Sequence, residues 1–373
     1  MGKLTAKIFV LSIFILSLLC KNIADAQVTA VQPDTLEKPS GINLSDTIRL
    51  CFAGDMMMHS RQMEYSYKSY FRKTEDIFRN ADITIANMEF TLAGEPHSGY
   101  PQFSAPDDYA DYMAKTGIDV FLCANNHILD KGSEGAERTL QQYRNLGTTY
   151  GIRFTGAASS QEELESTTPL ILRHRNFSIA LINFTYGTNL GSTAHWPRIN
   201  YMRQKEFLKT ALQKADSLSS FTIVLPHWGE EYQLLHSESQ EETARWLIES
   251  GADLIVGTHP HVIQDMARID GVTVAYSLGN TVSNMSAPNT QLGMILIVTL
   301  VMDGNGEVRL CSLEPVFTWC SRPGGYGNSY IVLPVEDHIG KRDEWQGAWD
   351  YDKMIDTYER VRHIHKNEQQ KDN

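Results

Sequence analysis

The chain has 373 residues, with 33 Lys and Arg against 45 Asp and Glu, for a formal net charge of −12. That acidic balance argues against a nucleic-acid backbone as partner, because phosphates require a basic surface. With an N-terminal segment set aside, the length suits one large α/β domain or two smaller ones.

Lys3 and Lys7 precede an apolar run over 8–19 that is too short to span a bilayer comfortably, and Ala24-Asp25-Ala26 has the small-x-small form of a cleavage site. Residues 1–26 therefore read as a secretory signal peptide, with an uncleaved anchor as the alternative. Cys20 raises lipid attachment as well, although Leu19 stands where a small residue is expected. The expected location is outside the cytoplasm, periplasmic or at the cell surface, with membrane proximity through this segment. Residues 27–46 mix Pro, Asp, Ser and Gly and read as a linker.

From residue 47 onwards, strand, turn and helix alternate. Strands are expected at 48–53, 83–87 and 119–124, and helices at 64–80, 107–116 and 134–146. Asp107 or Asp108 is the expected cap of the second helix, and Gly147 the close of the third. A hairpin is expected over 170–173 and 178–184. Helix 204–217, strand 221–226, helix 239–250 and strand 252–257 follow. Strands 272–277, 294–302, 308–317 and 330–335 then come without helices between them. Alternation favours a parallel sheet and the later run antiparallel pairing. Together they predict two mixed sheets face to face with helices outside, as a domain over 47–337. Residues 338–373 form a C-terminal extension with an amphipathic helix at 351–365.

Five polar motifs close apolar runs, and their carboxylates, amides and imidazoles are the ligand set of a borderline metal such as Zn, Mn or Fe. Asp55 follows Gly54, which permits a sharp turn and close backbone approach, although Asp55 could equally cap a helix. Glu89 follows strand 83–87, and its carboxylate can bridge two metals; a solvated Glu is the plain alternative. Asn87, two positions earlier, shares its side of an extended chain. In Asn125-Asn126-His127, an amide can ligate while the imidazole faces substrate and donates a proton, with Asp130 orienting it. His227 ends a strand beside Trp228-Gly229-Glu230 and reads as a ligand or as packed core. His259-Pro260-His261 places two imidazoles on an extended segment, with Gly257 giving room and Pro260 stiffening the spacing. Asn280, after Ser277-Leu278-Gly279, is a candidate substrate contact or a plain turn residue. Cys311 and Cys320 could pair across a hairpin.

As an ordered set over roughly 47–300, these motifs resemble the CapA-type family associated with bacterial capsule and poly-γ-glutamate synthesis, which is related to calcineurin-like metallophosphoesterases. The resemblance implies a four-layer α/β/β/α sandwich and a site for two divalent ions (Mn, Fe or Zn). It places Asp55 and His261 on one metal, and Asn126, His227 and His259 on the other, with Glu89 bridging. His127, backed by Asp130, would act on the leaving group, and Asn87, Asn125, Glu230 and Asn280 would face substrate. The D-x-H pair of ordinary phosphoesterases is absent, since Met56-Met57 follow Asp55. Two functions are expected from this pattern. One is a metal-dependent hydrolase activating water against a phosphoryl or acyl centre. The other is a non-catalytic binding or export factor for an anionic cell-surface polymer.

Overall fold

A computed structural model describes residues 46–192 and 195–369, with side chains up to 362. The expected signal peptide (1–26) and, apart from Asp46, the linker (27–46) lie outside the described residues.

The strands in chain order are β1 (Thr47–Met56), β2 (Ile83–Met88), β3 (Val120–Leu122), β4 (Arg153–Thr155), β5 (Ala157–Ala158), β6 (Leu170–His174), β7 (Phe177–Thr185), β8 (Arg198–Ile199), β9 (Phe221–His227), β10 (Leu254–Val256), β11 (Met266–Ile269), β12 (Val272–Ala275), β13 (Asn280–Val282), β14 (Leu292–Met302), β15 (Val308–Ser321) and β16 (Ile331–Pro334). The α-helices are α1 (Glu75–Arg79), α2 (Asp107–Lys115), α3 (Gly132–Tyr150), α4 (Gln161–Thr167), α5 (Lys205–Leu218), α6 (Glu238–Glu249) and α7 (Ala348–Gln369). The first large sheet runs β16-β15-β14-β1-β2-β3-β4, with β13 also beside β1, and the second runs β11-β12-β10-β9-β7-β6. Both are mixed. The β1-β2-β3-β4 run is parallel and the β14-β15-β16 run antiparallel.

Side-chain alternation sets the layers. In β1, Ile48, Leu50 and Phe52 join Ile179 and Leu181 of β7 in one apolar cluster between the sheets. The intervening Cys51 and Ala53 face the opposite way, packing with Tyr109 and Met113 of α2 and Leu140 and Tyr143 of α3. In β7, Ala180 and Ile182 pack on Leu208 and Leu212 of α5 and Leu247 of α6. Because strand side chains alternate with a period of two, each sheet is buried on both faces, which makes four layers, helix–sheet–sheet–helix. This is the sandwich the sequence motifs imply. Met354, Tyr358 and Val361 of α7 enter the same inter-sheet cluster, so the terminal helix contributes to the central core.

Several local expectations change. The expected helix over 64–80 is replaced by 3-10 turns at Ser60–Glu64 and Tyr67–Ser69 and the short α1. The neighbours Tyr70 and Phe71 are both fully buried, which breaks the one-sided burial an amphipathic helix needs. The cap of α2 is Pro106, with Asp107 and Asp108 in the first turn, where their charges suit the helix dipole. Gly147 lies inside α3, and the left-handed Gly151 ends it, donating its N–H to the Gly147 carbonyl at 2.9 Å. Cys311 and Cys320 are both thiols of the same strand, β15. Nine residues of strand span about 30 Å, far beyond the roughly 7 Å limit for a disulfide.

If α7 belongs to the core, Tyr358→Ala should remove about 3–5 kcal/mol of stability, read as a lower urea midpoint at unchanged slope. A loss under about 1 kcal/mol would place the helix outside the cooperative unit.

Candidate metal centre

The motif residues converge where the parallel strands of both sheets end. Asp55 lies at the end of β1, Glu89 just past β2, Asn125-Asn126-His127 after β3, His227 at the end of β9, His259 and His261 after β10, and Asn280 opens β13. Carboxyl ends of parallel strands are where open α/β sheets place their ligands. Two glycines allow the ends to meet. A Cβ on Gly54 would fall 1.9 Å from the Gly279 carbonyl oxygen, and one on Gly257 2.1 Å from that of Tyr276. With Gly54 in place, the Asp55 N–H donates to the Gly279 carbonyl at 3.0 Å. The His259-Pro260-His261 segment is not extended as expected. His259 (φ 102°) and His261 (φ 59°) both take left-handed backbone, which is uncommon for non-glycine residues and concentrates at functional sites.

Glu89 occupies the centre. Both of its carboxylate oxygens are buried without a hydrogen-bond partner, as is Nδ1 of His259. The Nε2 atoms of His261, His227 and His127 stand 3.7, 3.8 and 3.9 Å from Glu89 Oε1. Those gaps are too long for hydrogen bonds. For His261 and His227 they match the spacing of atoms that share an ion with Glu89, since bonds of about 2.1 Å put neighbouring ligands about 3–4 Å apart. Two groups of ligand atoms each lie within 4.8 Å of one another: Glu89 with His259 and His261, and Asp55 with Glu89 and His227. Glu89 is common to both. Asp55 Oδ2 also lies 3.4 Å from His261 Nδ1, and the His227 and His259 rings are 4.7 Å apart, so the pairing the resemblance implies, His261 with Asp55 and His259 with His227, is within reach as well. The donor set and its orphaned atoms fit divalent cations of the expected kind.

Burial, and then the Asp55 charge, raise the Glu89 pKa well above its ordinary 4.5. Burial and neighbouring imidazoles push His227 well below its ordinary value and His259 down to about 3. Burial opposes protonation of His261 too, but Asp55, Glu231 and Asn280 outweigh it, and its pKa is raised. His227 and His259 are thus neutral across the physiological range, as metal ligation requires.

The amides hold these groups in place. Asn87 Nδ2 donates to Asp55 Oδ1 at 2.7 Å and lies 3.3 Å from His227 Nδ1. Asn125 Nδ2 donates to Met88 O at 2.8 Å and to Asn87 Oδ1 at 3.2 Å, while Asn125 Oδ1 accepts from the His127 N–H at 3.1 Å. Asn126 Oδ1 is 2.9 Å from His227 Nε2, and Asn280 Oδ1 is 2.9 Å from His261 Nδ1. Asn87 and Asn280, expected to face substrate, thus contact candidate ligand side chains, and Asn125, expected there too, braces Asn87 and the backbone at Met88 and His127. Glu230, also expected there, is exposed on the turn after β9, and no hydrogen bond or ion pair joins it to the cluster. The adjacent Glu231 is the acidic residue whose charge reaches Glu89 and His261. His127 Nδ1 meets Asp130 Oδ2 at 2.7 Å, which leaves Nε2 towards Glu89.

Two further residues complete the framework. Thr258 Oγ1 lies 3.0 Å from His227 Nδ1, and Asn189 Nδ2 lies 3.3 Å from His127 Nδ1. Thr258 sits inside the Gly257–His261 motif and could have been singled out there. Asn189 belongs to a loop without any motif and gave no signal.

The model of the family described as "Bacterial capsule synthesis protein PGA_cap" matches residues 49–285. The capsule biosynthesis protein CapA of Bacillus anthracis is 26% identical over 263 residues, covering 66% of this chain and 62% of that protein. The chain thus spans less than two thirds of the length of that curated relative. The PGA biosynthesis protein CapA of Bacillus subtilis (strain 168) is 25% identical over 287 residues, covering 72% of each. Among solved structures, the NAD nucleotidase NadN of Haemophilus influenzae aligns with a TM-score of 0.44 at 12% identity, over 84% of this chain and 67% of that one. Among the described residues, no helix is long and apolar enough to cross a membrane.

In metal-free protein, folded Glu89 keeps a proton that the unfolded chain has released, so stability from this group falls as pH rises past about 4.5. Glu89→Gln removes that burden and a ligand together. In chelator at pH 8 the variant should melt above the wild type, while its metal content after loading falls. A variant that melts lower in chelator yet retains full metal would contradict the central position of Glu89.

Proposed function

We propose that this chain, which belongs to the bacterial capsule synthesis family PGA_cap, is a metal-dependent hydrolase of capsule or poly-γ-glutamate biosynthesis that works outside the cytoplasm on an anionic polymer or its precursor. The observation that carries this reading is the buried, unpartnered Glu89 carboxylate ringed by imidazoles. Asp55, Glu89, Asn126, His227, His259 and His261 would hold two divalent ions of the Mn, Fe or Zn type. Such ions supply Lewis acidity and lower the pKa of water to near 7 in the best-known cases.

The chain's own residues supply the rest. The reaction is hydrolysis of a phosphoryl or acyl linkage, in which water adds and the leaving group departs with a proton. His127 is the proton donor, through Nε2, because Nδ1 is engaged by Asp130 at 2.7 Å. The Asp130 carboxylate fixes the ring and offsets the imidazolium charge before transfer. Asp130 is itself anchored, accepting the Phe103 N–H at 2.8 Å. Phe103 stands edge-on to His127 at 4.7 Å, so the ring is held on a second side. This dyad favours turnover over the binding-factor alternative, because a site that only grips carboxylates through metal needs no oriented proton donor.

Asp55→Ala and His259→Ala should each abolish bound metal and turnover, measured by elemental analysis and by phosphodiester and γ-glutamyl hydrolysis assays. His127→Ala should keep the metal and slow turnover by about 10²–10⁴-fold. Full activity in a metal-stripped preparation would refute the reading, and undiminished activity in the His127 variant would remove its acid.

A further inference from the structure

We propose that Tyr186, Glu231 and Tyr232 form a rim that receives an ammonium group, so that the site takes a substrate carrying a free amine near its reacting centre. This rests on the metal-dependent hydrolase reading above and narrows its substrate.

Tyr186 follows β7, and its ring lies 4.5 Å from that of His259 and 6.4 Å from that of His227, nearly parallel to the latter at 15°. Tyr232 follows β9, with its ring 6.3 Å from that of His261. The two tyrosines remain 40% and 41% exposed, so each touches the metal-ligating imidazoles on one side and solvent on the other. Glu231 is exposed beside them, and its charge is felt at Glu89, His261, Tyr186 and Tyr232 alike. Tyr232 is held in left-handed backbone (φ 67°), a conformation that side chains other than glycine rarely take without a local reason. The holding contacts come from the ligand segment itself. The Tyr232 N–H donates to the Pro260 carbonyl at 2.8 Å, and Gln264 Nε2 donates to the Gln233 and Leu235 carbonyls at 3.1 Å each.

Charge decides what the rim can receive. An anion is held by Arg or Lys, or by cations such as those the cluster below would bind. Among the described residues, no Lys or Arg makes a hydrogen bond or ion pair with Asp55, Glu89, His127, His227, His259, His261 or Glu231. Arg322, whose charge reaches His59 on another wall, is bonded to the Met285 carbonyl. The rim itself presents a carboxylate and two aromatic faces, which attract a cation. Below it, the unpartnered Glu89 oxygens and His259 Nδ1 mark where the cations facing the reacting end would sit. An amine set back from the acyl carbon by a short chain, as in a γ-glutamyl group, would then reach the rim.

The test uses full-length, metal-loaded protein and calorimetry with γ-glutamylglutamate, its N-acetyl derivative and phenyl phosphate. Acetylation removes the positive charge and should weaken binding about ten-fold. Glu231→Gln should shrink that difference to under about two-fold with metal content unchanged, and Tyr186→Leu should weaken the free amine by about three-fold or more. Equal affinity for the two peptides in the wild type, no binding of either, a preference that survives Glu231→Gln, or an equal weakening of phenyl phosphate by Glu231→Gln would each overturn the ammonium rim. Absence of stoichiometric metal from protein purified and reloaded would overturn the hydrolase reading beneath it, an outcome separable from the others.

Discussion

A carboxyl group sealed from water without a hydrogen-bond partner is the constraint around which this molecule is arranged. Glu89 is completely buried with neither oxygen hydrogen-bonded, and Asp55 lies close enough to raise its pKa further. Two adjacent buried carboxylates are unfavourable in a bare protein. Of the imidazoles around them, His227 and His259 are held neutral, while Asp55 draws His261 towards protonation. The carboxylate, amide and imidazole donors gathered here are those that borderline cations prefer.

The fold makes this strain possible. Asp55, Glu89 and the Asn125–His127 turn come from one sheet, and His227, His259 and His261 from the other. The inter-sheet cluster of Ile48, Leu50, Phe52, Ile179, Leu181 and their neighbours fixes the separation of the two rows of strand ends. A packed apolar interior is stiff, so ligands from opposite sheets keep their spacing without an ion between them. The amides of Asn87 and Asn280 then set the final orientation, each tied to one ligand side chain.

Much of this was legible in the sequence, because the ligands fall at the ends of apolar runs and strand ends are where such runs stop. The strands that deliver Asp55, Glu89, His127, His227 and His259 lie where their hydrophobic patterns put them. What escaped was tertiary in origin. Strands of three or four residues, such as Arg153–Thr155 and Met266–Ile269, are too short to show a period. The region around Tyr70 and Phe71 has helix-like composition but buries both neighbouring rings completely in one core cluster. Glu230 and Glu231 are indistinguishable by motif, and only the backbone turn after β9 decides which carboxylate approaches the cluster. Asn189 reaches His127 through a loop whose sequence carries no pattern.

The hydrogen bond from Tyr232 to Pro260 joins the rim to the backbone between the paired histidines. Swinging the 229–236 loop outward would break that bond and disturb the left-handed geometry on either side of it. The Tyr232 turn and the His259–His261 segment are therefore coupled through their backbones on this flank, so a displacement of one is transmitted to the other.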